Sequence, residues 1–238
     1  MSDPLRVGIL ETGRPPPHLQ GAYDSYPDMM VQMLGPHDRE LVFTQYAALD
    51  GELPASVEVC DAWLITGSKF AAYDPDPWVA ALKGFVRQAF ERGRPMLGIC
   101  FGHQIMAAAL GGEVKLADAG WGVGVHRYTL DAAPAWLGET PATLAIQAFH
   151  QDQVVTVPPG ATVLAHSDFC PVAALGYGTQ ALSVQAHPEF TADYVSELLR
   201  FRRELIGAER VDAALDGIGA PLDSDLIARW FAGVARGR

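Results

Sequence analysis

The sequence is short of positive charge: 17 lysines and arginines stand against 28 aspartates and glutamates, a formal net charge of -11. No basic cluster offsets that deficit, which argues against nucleic acid as a partner, because phosphates reward cationic stripes. Cysteine is scarce as well. Cys60, Cys100 and Cys170 are an odd number at wide spacings with no C-x-x-C pair, so neither a disulfide framework nor a zinc site is indicated. No apolar run approaches the roughly 20 residues of a membrane helix, and the opening "MSDPLRVGIL" does not read as a signal peptide. The expectation is a cytoplasmic protein that engages no membrane. Internal repeats, low-complexity tracts and a phosphate-cradling G-x-x-x-x-G-K-[ST] loop are missing too.

What remains is 238 residues with 49% hydrophobic content, ample for a full core. Short apolar runs alternate with helix-like segments. "RVGIL" (6–10), "LVFTQY" (41–46), "AWLIT" (62–66) and "PMLGIC" (95–100) read as buried strands of an α/β fold with a largely parallel sheet. Between the last two, Asp76 can cap a helix that starts at Pro77, buries Leu82, Phe85 and Val86, and stops at Gly93. A second helix runs from about Gly102 to Leu110. From 113 to 186 the pattern turns to β, with "GVGVHRYTL", "TLAIQAF" and "ALSVQAH" among six strand-like runs, some of them antiparallel. "GWGVG" (120–124) lacks the helix that a dinucleotide fingerprint requires and reads as a turn into a strand. Helix returns over 191–206, capped by Thr191 with Tyr194, Val195, Leu198 and Leu205 inward. The final segment, 222–236, carries Ile227, Trp230, Phe231 and Val234 at helical spacing. The proline-rich piece 13–27 reads as a loop.

The chemistry concentrates in "GICFGHQ" (98–104), a strand, then G-x-C-x-G, then a helix. This is the cysteine form of a nucleophile elbow, a sharp turn that projects one side chain above the sheet's carboxyl edge. The positive end of the following helix favours the thiolate, and the Phe101 amide faces an adduct's oxygen. A second oxyanion amide is available at Gly67 in "ITGS" (65–68). Free cysteines are mostly small buried hydrophobes, and Cys60 and Cys170 read that way. Cys100 needs a base: in "HPE", His187 is followed two residues later by Glu189, which can reach back to one imidazole nitrogen and leave the other for the thiol.

"GICFGHQ" followed some 80 residues later by "QAHPEF", with "ITGS" and "FHQDQV" alongside, resembles the signature of class I glutamine amidotransferases, and is similar to the amidotransferase domain of GMP synthase and to γ-glutamyl peptidases. The resemblance implies a flavodoxin-like three-layer sandwich, with a central mostly parallel sheet between helices over residues 1–195. Residues 196–238, outside the stretch that carries the resemblance, are expected to form a helical extension packed on the same domain. For the site, the resemblance implies Cys100 as nucleophile, His187 as base and then acid, Glu189 as its orienter, and Gly67 and Phe101 as oxyanion amides. Gln104, His150, Gln151 and Asp152 become substrate-binding candidates, with no metal and no cofactor. "TGS" replaces the "GGP" of many synthetase-linked members and "HQD" replaces "HGD"; both changes border the acyl pocket.

Three functions follow as expectations. The first is a stand-alone hydrolase of small-molecule γ-glutamyl amides or peptides acting through a thioester. The second is a glutaminase subunit passing ammonia to a separate synthetase. The third is a silent regulatory protein that keeps only the fold. The apolar face of the C-terminal extension is expected to be core or a dimer surface, ahead of a partner-docking surface, with a homodimer as a further candidate association.

Overall fold

The computed structural model describes residues 4–131, 134–138 and 140–237. In chain order its elements are β1 (Leu5–Leu10), α1 (Tyr26–Leu34), β2 (Leu41–Tyr46), β3 (Ala62–Ile65), α2 (Pro77–Glu91), β4 (Met96–Ile99), α3 (Phe101–Ala109), β5 (Glu113–Leu116), β6 (Gly122–Leu130), β7 (Thr143–His150), β8 (Asp152–Thr156), β9 (Thr162–His166), β10 (Ala174–Tyr177), β11 (Ala181–Val184), α4 (Ala192–Phe201), α5 (Arg203–Ile206), α6 (Ala208–Asp216) and α7 (Ser224–Ala235).

The four apolar runs of the N-terminal half become β1 to β4: β3 and β4 are buried throughout and β1 from Val7 onward, while the edge strand β2 is buried only at Leu41. Residues buried on both faces of a strand are what a parallel sheet covered by helices requires. The nine-stranded sheet has the order β2-β1-β3-β4-β11-β10-β9-β6-β7; the first five strands are parallel and the rest are joined antiparallel. β5 and β8 form a separate two-stranded ribbon. Val7, Ile9, Leu64 and Ile99 pack on one face under Met30 and Leu34 of α1 and Ile227, Phe231 and Val234 of α7. Trp63, Ile65 and Met96 face the other way, under Leu82 and Val86 of α2 and Ile105 and Met106 of α3. Three layers result, as expected of this fold class.

Several local expectations change. Asp76 occupies the N-cap position of α2 but makes no side-chain cap bond. Thr191 does cap α4, accepting from the Tyr194 N–H at 3.2 Å. The 191–206 segment breaks at Arg202, and the one-turn α5 buries Ile206 while Leu205 turns outward. The helical face of 222–236 is core rather than an open association surface. α7 is pinned at its start by reciprocal bonds, Ala145 N–H to Asp223 Oδ2 at 2.7 Å and Asp223 N–H to Ala145 O at 2.8 Å. At its end Arg236 binds Asp38 and, at 2.8 Å, Glu40. Among the described residues no helix is long and apolar enough to cross a membrane.

Because Phe231 of α7 is fully buried in the core cluster on the sheet, Phe231→Ala is expected to cost about 3–5 kcal/mol in urea unfolding. A loss under about 1 kcal/mol would mean that α7 is not core.

Candidate active site

The turn from β4 into α3 holds the one non-glycine residue with positive φ among the described residues: Cys100, at φ 52° and ψ -101°. L-residues avoid this region for steric reasons, so the surroundings must impose it. They do so by close approach. A Cβ at Gly98 would lie 2.7 Å from the Gly102 carbonyl, and one at Gly102 would lie 2.3 Å from Ile65 O. Glycine at both positions lets the chain reverse against β3, while the Cys100 N–H stays in the sheet, donating to Val184 O at 2.9 Å.

His187 follows β11 and is fixed by its own N–H, which donates to Gln147 O at 2.7 Å. Its Nδ1–H donates to Glu189 Oε1 at 2.8 Å, with both side chains buried. The Phe190 ring lies flat on the imidazole at 4.0 Å and 5°, and Tyr194 packs edge-on against Phe190 at 4.7 Å. Gly67 closes the remaining side: a Cβ there would sit 2.9 Å from His187 Cε1 and 3.7 Å from Cys100 Cβ. Cys100, His187 and Gly67 therefore converge, with Glu189 behind the imidazole and Nε2 left toward the thiol. Phe101 opens α3, and its N–H is one of the first-turn amides for which a helix supplies no partner.

Burial alone would depress the pKa of His187, but the Glu189 carboxylate and then Cys100 outweigh it and raise it. The other buried imidazoles go the opposite way. Burial drives His103 down to about 4 while its nitrogens bond Ser183 Oγ (2.8 Å) and Val172 O (3.2 Å). Burial, helped by His126 and His187, takes His150 down to about 3.

A cavity of about 510 Å³ opens over Cys100 and His187, with residues 13–17 of the proline-rich loop on one wall. Gln104, His150, Gln151 and Asp152 all line it. The Gln104 amide is held by the protein, Nε2 donating to Asp152 O at 2.8 Å and Gln185 Oε1 at 3.2 Å. His150 Nδ1 faces Asp152 O at 3.3 Å. Asp152 accepts from the Tyr73 hydroxyl at 3.1 Å, and burial raises its pKa. Residue 152 also begins β8, a strand absent from the β-like runs quoted from the sequence.

Sequence reasoning missed the cavity's rim. Lys69 and Arg202 line it and have no carboxylate partner among the described residues, whereas Arg14 is tied to Glu11 and Asp50. Trp121, Phe149 and Phe201 add an aromatic wall. These residues come from distant segments with no shared motif. Among the described residues no group of three or more His, Cys, Asp or Glu is arranged to hold a metal ion.

Comparison with known proteins bears on this geometry. The family model for glutamine amidotransferase class-I matches residues 19–201. The chain is 32% identical over 185 residues to γ-glutamyl peptidase 5 of Arabidopsis thaliana, covering 75% of this chain and 73% of that protein. It is 36% identical over 126 residues to one subunit of the glutamine-hydrolyzing GMP synthase of Methanocaldococcus jannaschii, covering 52% of this chain and 66% of that one. Its fold superposes on the crystal structure of a glutamine amidotransferase from Thermotoga maritima with a TM-score of 0.76 at 18% identity, over 99% of this chain and 97% of that one.

Because His187 is raised above its ordinary 6.5, the stability it contributes is complete below that value and is lost as pH climbs through the raised one. Glu189→Gln removes the strongest raising charge, so the His187 midpoint followed by imidazole NMR is expected to fall and the alkaline loss of stability to flatten. An unchanged midpoint would contradict the pairing.

Proposed function

The chain belongs to the class I glutamine amidotransferases, and from that premise we propose that it is a stand-alone hydrolase of γ-glutamyl amides and peptides. The observation that carries this reading is the convergence of Gly67 and the His187–Glu189 pair on Cys100. The Cys100 thiolate attacks the γ-carbonyl carbon, and the oxygen's charge develops between the Gly67 and Phe101 amides. His187, held protonated by Glu189, gives its proton to the departing amine as the C–N bond breaks. The γ-glutamyl thioester remains. Water then loses a proton to His187 and attacks the thioester, releasing glutamate and returning the thiolate. Gln151 and Asp152, with Gln104 and His150 behind them, form the wall assigned to the substrate's amino-acid end.

Hydrolysis of a peptide or amide is favoured over ammonia delivery by the cavity's size and rim. Ammonia needs no room, whereas about 510 Å³ with an aromatic wall accommodates a substantial leaving group. Lys69 and Arg202, which sit over the Phe70 and Phe201 rings and have no carboxylate partner among the described residues, supply positive charge in a chain of net charge -11, which suits a leaving group bearing a carboxylate. The similarity to γ-glutamyl peptidase 5 over three quarters of the chain supports the same choice. A glutaminase working with a separate synthetase is the second reading, favoured by the similarity to the GMP synthase chain.

Glutamate release should be measured in parallel on L-glutamine, glutathione and a γ-glutamyl anilide. Turnover of the peptide or anilide ahead of glutamine is expected, with Cys100→Ala lower by about a thousandfold or more. Silence on all three, with a reactive thiol, would favour the synthetase-dependent glutaminase. Replacing both Lys69 and Arg202 by Ala should raise KM for glutathione several-fold, on the order of 1 kcal/mol, and leave glutamine unaffected; equal losses on both substrates would sink the rim assignment.

A further inference from the structure

The Gly67 amide can serve an oxyanion only if its peptide plane faces the thiol, and a glycine in a loop has the freedom to turn that plane over. The structure contains a lock against this. Thr12, just beyond β1, and Thr66, just beyond β3, are both completely buried. The Thr12 N–H donates to Thr66 Oγ1 at 3.0 Å, and the Thr12 hydroxyl donates to Thr66 O at 2.8 Å. Gly67 O lies 3.2 Å from Thr12 Oγ1 and 3.3 Å from Thr66 Oγ1. Ser68 completes the ring, its hydroxyl donating to Thr12 O at 2.6 Å.

In a trans peptide the C=O and the following N–H point in opposite directions, and no cis peptide occurs among the described residues. Holding Thr66 O on Thr12, on the core side, therefore turns the Gly67 N–H the other way. That side is the cavity: Gly67 lines it beside Cys100 and His187, while Thr12 and Thr66 do not. Among the described residues the Gly67 N–H has no backbone acceptor.

We infer that Thr12 is a positioning residue that locks the 66–67 peptide with its amide aimed at the reacting carbonyl, so that the oxyanion hole is formed before substrate arrives and without a docked partner. Thr12 touches neither substrate nor thiol; it acts through Gly67. The inference rests on the hydrolase reading above. A lock of this kind suits hydrolysis by this chain acting alone, because donors held in place beforehand cost no reorganisation at the moment of reaction.

The test compares Thr12→Val, which keeps the shape and removes the hydroxyl, with Thr12→Ser, which keeps the hydroxyl, in the full-length enzyme. Hydrolysis of the best γ-glutamyl substrate is measured beside the rate of Cys100 alkylation by iodoacetamide, a displacement that forms no oxyanion. For Thr12→Val, kcat is expected to fall about ten- to a hundredfold, less than the roughly 10²–10³ seen when an oxyanion donor is deleted. KM should stay within about twofold, with the alkylation rate and its pH profile as in the wild type. Thr12→Ser should keep most of the activity. A Thr12→Val enzyme with wild-type kcat overturns the lock, as does a matching loss in Thr12→Ser or a parallel loss of alkylation, which would mark a structural role. Should Thr12→Val not fold, Ser68→Ala, which removes the bond to Thr12 O, is expected to give the same split at smaller size, and its absence counts against the lock. A wild-type protein that releases no glutamate overturns the hydrolase reading first and the lock with it; an active wild type with an unaffected variant overturns the lock alone.

Discussion

The backbone at Cys100 is the constraint around which the site is arranged. Holding a non-glycine residue at φ 52° and ψ -101° costs on the order of 1–3 kcal/mol, and such a conformation persists only where neighbours over-determine it. Here the neighbours are main chain. Ile65 and Gly102 pass so close that no side chain fits between them, and Val184 accepts the Cys100 N–H. The strained turn is thereby anchored to both adjacent parallel strands, β3 and β11. A shift of either strand would release the turn, which ties the site's geometry to the stability of the sheet's centre.

That centre also explains why the remaining groups arrive where they do. In the order β1-β3-β4-β11 the four neighbouring strands all point the same way, so their carboxyl ends lie in a row. Thr12 follows β1, Gly67 follows β3, Cys100 follows β4 and His187 follows β11. Residues from four distant parts of the chain become neighbours without long connecting loops, as open α/β sheets arrange their ligand crevices. The antiparallel half contributes differently: Gln147 at the far strand β7 accepts the His187 N–H and aligns the segment from behind.

Much of this was legible in the sequence because it depends on short-range rules. Gly98 and Gly102 around Cys100 announce a tight turn, and "HPE" puts a carboxylate within two residues of an imidazole. The strands of the parallel half could be read because burial on both faces leaves uninterrupted apolar runs. What escaped depends on tertiary contact. The strand β8 alternates too weakly in "DQVVT" to stand out from its loop, and α6 lacks a side-chain cap. Leu205 has the spacing of a buried residue, yet the break at Arg202 changes the phase and exposes it. Thr12 and Thr66 are single threonines 54 residues apart, and only the pairing of β1 with β3 brings them together.

Burial of a histidine in this molecule does not by itself decide its charge. His103, His150 and His187 are all at most 4% exposed, and in each case burial pushes against the imidazolium. His103 finds only a hydroxyl and a carbonyl, and His150 a carbonyl, so neither has an anion to set against the lost hydration. Only His187 meets a carboxylate, and Glu189 is itself buried, so their attraction is little screened by solvent. The flat Phe190 ring adds a π face to the cationic form and excludes water from it. The same dry interior that disfavours the charge on two imidazoles therefore strengthens the His187–Glu189 pair, and the imidazole of raised pKa sits beside the Cys100 thiol because Glu189 is there, two residues along the chain.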